Sequence, residues 1–228
     1  TLQNRNPNII LSNGQRDIAS HFYPLIGPYA SNDPDVIEYH LLLMKAAGID
    51  GIIVDWYGVQ GTNGDIGGLL RNSNAIANKV YTYGLDFAVM LEDRFSSNIG
   101  DAVANVAYCR DNYFHLPSYA RDDQTNEPWF FNFGPITFEN PSAWSQILSA
   151  AGEPVQFLPL QYQSNEVGNN GDGEFYWPTE NEALDNHLSL LNTFYNNRAP
   201  DLNRAVGAVY PSFIDFYEEG GVGDIIGF

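Results

Sequence analysis

The stretch GIDGIIVDWYG, residues 48–58, decides the fold. Ile52, Ile53 and Val54 form a continuous apolar run, the pattern of a strand covered on both faces, as in a parallel sheet. Upstream, Asp33-Pro34-Asp35 reads as a helix start, with Asp33 as N-cap and Pro34 in the first turn. Val36, Ile37, Leu41, Met44 and Ala47 then supply an apolar stripe at helical spacing, and Gly48 fits a left-handed helix stop. A helix therefore feeds a strand that ends at Asp55, Trp56 and Tyr57.

The same alternation continues outward in both directions. Residues 17–24 (DIASHFYP) predict a strand ahead of that helix. Downstream, a glycine-rich loop (Gly61, Gly64, Gly67, Gly68) leads to a helix over 69–83. A strand over 85–91 (LDFAVML) follows, ending in Glu92-Asp93-Arg94. Next come a helix over 99–112, a strand over 129–133 (WFFNF) ending at Asn132, a helix over 142–150 and a strand over 155–160 ending at Gln161 and Tyr162. Residues 175–177 are a short sixth strand. Residues 180–197 form a helix with Leu184, Leu188, Leu191 and Tyr195 on one stripe. Residues 205–210 (AVGAVY) form a seventh strand that runs into Pro211 and then Asp215. Alternating strands and helices with apolar strands imply a parallel sheet. No G-x-G-x-x-G follows any strand, which turns the choice from a doubly wound sheet to a barrel. The predicted fold is α/β, a (β/α)8 TIM-type barrel, with residues 1–228 as one domain. Such a barrel typically takes about 250 residues. The expectation is therefore about seven strand–helix units and a barrel shortened at its C-terminus.

Composition narrows the partners. Ten basic and 28 acidic residues give a formal charge of −18. A surface this acidic repels phosphate backbones and anionic lipid, so neither nucleic acid nor membrane insertion is expected. No apolar run approaches the length of a membrane span. Lys45 and Lys79 are the only lysines, and high Asp and Asn with little Lys points to a secreted, periplasmic or cell-surface setting. The single cysteine, Cys109, excludes an internal disulfide and any multi-cysteine metal cluster. No metal and no cofactor is expected. H-E-x-x-H is absent, and the oxygen-rich loop over 165–174 misses the calcium-loop spacing. G-x-S-x-G is absent too, which argues against a serine hydrolase of the α/β type.

In a parallel barrel, chemistry sits at the C-terminal ends of the strands. Those ends carry carboxylates, amides and aromatic rings: His21 and Tyr23, Asp55, Trp56 and Tyr57, Glu92, Asp93 and Arg94, Asn132, Gln161, Trp177, Tyr210, Asp215 and Glu218-Glu219. This set suits sugar hydroxyls held in fixed directions over stacking platforms, and it offers carboxylates for glycosidic cleavage. The bland alternatives are an ion-pair cluster for Glu92-Asp93-Arg94, solvated Glu218-Glu219, and packing for the aromatic residues.

The stretch FYPLIGPYASNDPDVIEYHLLLMKAAGIDGIIVDWYG (22–58) resembles glycoside hydrolases of families 99 and 71. The likeness continues at LEDR (91–94), at HLPSYARDDQTNEPWFFNFGP (115–135) and at AVYPSFIDFYEEGG (208–221). Family 99 contains endo-α-mannosidases. The resemblance implies a (β/α)8 barrel and endo-acting hydrolysis of a neutral polysaccharide or mannan-type glycan. It also implies catalytic glutamates in an N-[DE]-W-x-E-G-type segment on a late strand, which has no counterpart here. With chemistry confined to this segment, Glu92 and Asp215 are the expected acid and base. Asp55, Asn132 and Gln161 are expected to bind hydroxyls. Tyr23, Trp56 and Trp177 are expected to stack, Arg94 to orient Glu92 or a sugar oxygen, and Tyr57 and Tyr210 to complete the binding set. A second reading is a non-catalytic carbohydrate-binding or surface structural protein on a degenerate glycosidase barrel.

Overall fold

A computed structural model describes residues 5–178, 189–209 and 213–221. They divide into two compact units: residues 31–176 with 199–206, and the described parts of 1–30, 177–198 and 207–228.

The first unit runs α1 (Pro34–Ala46), β1 (Gly51–Trp56), α2 (Ile66–Val80), β2 (Asp86–Leu91), α3 (Ile99–Asn112), β3 (Trp129–Asn132), α4 (Pro141–Leu148), β4 (Gln156–Pro159), α5 (Ser164–Val167), β5 (Gly173–Phe175) and β6 (Arg204–Val206). Its helices begin where capping chemistry allows. Asp33 accepts from the backbone N–H groups of Asp35 and Val36 at 2.9 and 3.3 Å. Asn98 and Asn140 do the same for α3 and α4, at 3.1 and 2.9 Å. At the far end of α1, Gly48 takes φ +77°, the left-handed stop that glycine adopts without strain.

Strands β1, β2, β3 and β4 pair in that order, all parallel. Strands β5 and β6 are also parallel, and a parallel bridge between Leu160 and Phe175 links them to the end of β4. The result is six parallel strands in chain order, the wall of a (β/α) barrel. Among the described residues no ladder joins β6 to β1, so the wall is an open arc.

Period two along each strand sorts the side chains into two faces. Trp56, Phe130 and Phe157 turn outward to the helix layer. Trp56 lies 6.0 Å from both Tyr108 and Tyr113, and Phe157 lies 4.6 Å from Trp144. Ile53, Asp55, Ala88, Met90, Trp129 and Phe131 fall on the opposite, inner face. Ile53 is 49% exposed, so β1 is not covered on both faces as its apolar run predicted. It is the end strand of the described wall.

Two further expectations change. Residues 17–24 form turns rather than a strand. Ser20 bonds the carbonyl and the N–H of Phe22, a local arrangement that competes with a ladder, and Pro24 lacks a donor. Gly67 and Gly68, read as loop, open α2. Within this second unit Arg5 pairs with Asp17 at 3.4 Å and lies over the Phe216 ring at 4.9 Å, and His21 meets Glu219 at 3.2 Å. The helix predicted over 180–197 lies partly outside the described residues.

Candidate functional site

The β1–β2 register places Asp55 beside Met90 and Trp56 beside Leu91. Glu92, one residue beyond Leu91, donates its N–H to the Trp56 carbonyl at 3.0 Å. Two residues past Met90, its side chain returns to the inner face and meets Asp55, and the two carboxyl groups share a hydrogen bond. Carboxylates are acceptors only, so that bond requires a proton on one of the two. Burial and then the Asp55 charge push the Glu92 carboxyl up to about 7, against the opposing pull of Arg94. Asp55 is raised as well, mainly by burial, although its bond to Glu92 favours its charged form. The pair thus holds a shared proton below about pH 7.

An aromatic edge adjoins it. The Tyr57 ring sits 4.1 Å from the ring of Phe95, and the Arg94 guanidinium lies 5.3 Å from the same ring. The loop after β1 is held from α3. Asn105 accepts from Val59 and Gln60 at 2.7 and 2.9 Å and donates to the Ser96 hydroxyl at 3.2 Å. Only glycine fits at Gly58, with φ +84°, because a Cβ there would collide with the Asn105 amide.

The structure brings together Asp55, Glu92, Arg94 and Tyr57. Trp56 cannot stack on a ligand as expected: it is fully buried, and its outward direction follows from the alternation that turns Asp55 inward. Asn132 is likewise fully buried, and it donates to Asp93 at 3.4 Å rather than facing a cleft. Gln161 follows β4, where its N–H donates to Phe175 at 2.9 Å. Tyr23, Trp177 and Asp215 belong to the other compact unit. There Tyr23 accepts from the Arg16 N–H at 3.2 Å, Trp177 is exposed, and Asp215 is buried and accepts from the Tyr217 N–H at 3.0 Å. Tyr210 lies outside the described residues. Phe95 and Asn105 have no role in the sequence reading, and Asp93 enters it only as part of the Glu92-Asp93-Arg94 cluster.

Asp93 is fully buried and accepts from the N–H groups of Ile136, Thr137 and Phe138 at 3.0, 2.8 and 3.2 Å. Gly134 (φ +150°) lies so close that a Cβ would strike the Asp93 carboxylate. Gly134→Ala is therefore expected to cost about 1–3 kcal/mol. An unchanged urea midpoint for that variant would contradict this packing.

Among the described residues, no group of three His, Cys, Asp or Glu side chains is arranged to hold a metal ion. In the oxygen-rich loop, Asp172 accepts from Phe157 at 2.9 Å and Glu174 from Tyr162 at 2.9 Å. Two hollows of about 330 and 290 Å³ lie elsewhere in this unit, one beside that loop and one on the inner face around Ile53, Ala88 and Phe131. Neither of these two hollows is lined by Asp55 or Glu92.

Comparison with known proteins places the fold in a family. The chain is 29% identical over 141 residues to a glycoprotein endo-α-1,2-mannosidase of Xenopus laevis, covering 60% of this chain and 31% of that protein. It is 28% identical over 141 residues to a glycoprotein endo-α-1,2-mannosidase-like protein of Mus musculus, covering 60% and 30%. The aligned region spans about a third of these relatives. The solved GH99 endo-α-mannosidase of Bacteroides thetaiotaomicron shares the fold, with a TM-score of 0.68 at 20% identity, over 87% of this chain and 60% of that one. A glycoside hydrolase-like protein matches with a TM-score of 0.55 at 14% identity, over 83% and 66%. The model of glycosyl hydrolase family 99 matches residues 3–162, more than half of the sequence, and the chain belongs to that family.

Proposed function

We propose that this chain acts in an endo-acting glycosidase for a neutral, mannan-type glycan. The observation that carries this reading is the proton-sharing Asp55–Glu92 pair beside the Tyr57–Phe95 edge, at the strand ends of a family 99 barrel wall. One protonated and one ionised carboxyl offer a donor and an acceptor side by side, as two neighbouring sugar hydroxyls require. Tyr57 and Phe95 present apolar surface to the sugar's C–H face, and Arg94 adds donors. An excess of acidic residues disfavours anionic glycans and fits a secreted or periplasmic setting.

Geometry limits what the pair does in cleavage. In glycosidases, the two carboxyls flanking the scissile bond stand about 5–5.5 Å apart when configuration is retained and about 6.5–9.5 Å apart when it is inverted. Asp55 and Glu92 interact directly, so we assign both to one side of the sugar. Glu92, protonated below about pH 7, is the proposed acid, and Asp215 is tested separately as a proposed base.

The test is hydrolysis and binding of α-mannan oligosaccharides by the wild type, Glu92→Gln and Asp215→Asn. At least one variant is expected to lose tenfold or more in turnover, since a general acid or base contributes about 10²–10⁴-fold. Loss below tenfold in both removes the assignment of these two residues. The closeness of the carboxyl pair favours a second reading, glycan binding without cleavage. Mannan affinity with no product release would select it.

A further inference from the structure

Asp93 has no role in the chemistry above, yet it is the most heavily engaged carboxylate near it. It opens the single helical turn Asp93–Phe95 that follows β2. Its side chain enters the loop after β3. There it takes the three N–H groups of Ile136, Thr137 and Phe138, plus the Asn132 amide. A buried charge is tolerated only with such compensation. The same turn is gripped on its other side. The Phe95 carbonyl accepts from the Thr62 N–H at 2.8 Å, and Gly61 approaches that carbonyl too closely for a Cβ. Glu92 thus immediately precedes a turn fastened to the loops of both neighbouring strands.

We propose that Asp93 is the positioning residue of the carboxyl pair: its amide-held carboxylate fixes the turn that presents Glu92 to Asp55. The pair is the one used in the glycan reading, but the proposal is tested on its proton, with no glycan present. Failure here leaves glycan binding standing, and failure of glycan binding leaves this proposal standing.

The groups facing Glu92 are Asp55, Arg94 and Asp93. The titration of Glu92 is followed by carboxyl-carbon NMR in the full 228-residue chain, with folding monitored by circular dichroism. Three variants are compared with the wild type. Asp93→Asn removes the charge and one acceptor. A backbone ester at Thr137 removes a single N–H and keeps the Asp93 charge. Asp122→Asn removes another buried carboxylate, one paired with Arg204 at 2.8 Å, as a control for general loosening.

Positioning predicts that the Glu92 midpoint falls by about one pH unit or more in Asp93→Asn, and falls in the same direction in the ester. It stays in place in Asp122→Asn. A fall in Asp93→Asn with an unchanged or higher midpoint in the ester marks a through-space charge effect and overturns the proposal. So does an unchanged midpoint in both, or an equal fall in Asp122→Asn. If Asp93→Asn does not fold, the ester alone decides.

Discussion

Replacing Trp144 by alanine is expected to lower the melting temperature by roughly 10 °C. Trp144 is fully buried on α4 and bridges the helix layer to the sheet. Its ring lies 4.6 Å from Phe157 on β4 and edge-on to Phe138 at 6.4 Å. Its indole N–H donates to the Phe138 carbonyl at 2.7 Å. Truncation removes the ring contacts, opens a cavity that the strands cannot follow, and leaves the Phe138 carbonyl with the Asn140 N–H as its remaining donor. Buried aromatic-to-alanine changes cost about 3–5 kcal/mol, and in a chain of this size each kcal/mol moves the melting point by about 2–4 °C. A calorimetric decrease under about 3 °C would mean that α4 is not anchored through this residue. Phe138 ends the loop that Asp93 holds, so Trp144 also steadies the far side of the candidate site.

The parts of the fold legible in the sequence are those fixed by local chemistry. Asp33-Pro34 starts α1 and Gly48 stops it because capping and φ preference are properties of the residues themselves. β1, β2 and β4 were visible as short apolar runs between turn signals, although β1 proved open on one face. The places of Asp55 and Glu92 at strand ends were legible because each closes or follows an apolar run. Trp56 was misjudged beside them, although period two turns the neighbour of an inward Asp55 outward. Asp93 was grouped with Glu92 and Arg94 as a possible ion-pair cluster. Its real partners are backbone N–H groups more than 40 residues away. Nothing in the identities of Ile136, Thr137 and Phe138 announces that role, since every non-proline residue offers the same donor. The strand expected over 17–24 failed for a related reason. Ser20 and Pro24 favour local turns, and a β-rich composition did not outweigh them.

The site itself should cost stability above neutral pH, and Glu92→Gln should recover it. Glu92 has an ordinary value of 4.5 and is raised to about 7 in the fold. Between those limits the folded chain binds a proton that the unfolded chain has released. Stability from this group is therefore complete below about pH 4.5 and is lost as pH rises through 7. Above 7 the fold must hold a second carboxylate against Asp55. The full interval corresponds to roughly 3 kcal/mol at about 1.36 kcal/mol per pH unit. Glu92 is only half-buried, and solvent screening reduces this to about 1–2 kcal/mol. Glutamine keeps a donor toward Asp55 and cannot ionise. Glu92→Gln is thus expected to melt about 3–6 °C above the wild type at pH 8 and to coincide with it near pH 4.5. Calorimetric melts of both proteins across this range check the sign. A temperature difference that does not change with pH would show that Glu92 carries no displaced proton, and the shared-proton description of the pair would fall with it. A gain confined to high pH would identify the close approach of Asp55 and Glu92 as a cost the fold bears at its strand ends, which is what a site built for binding rather than for stability requires.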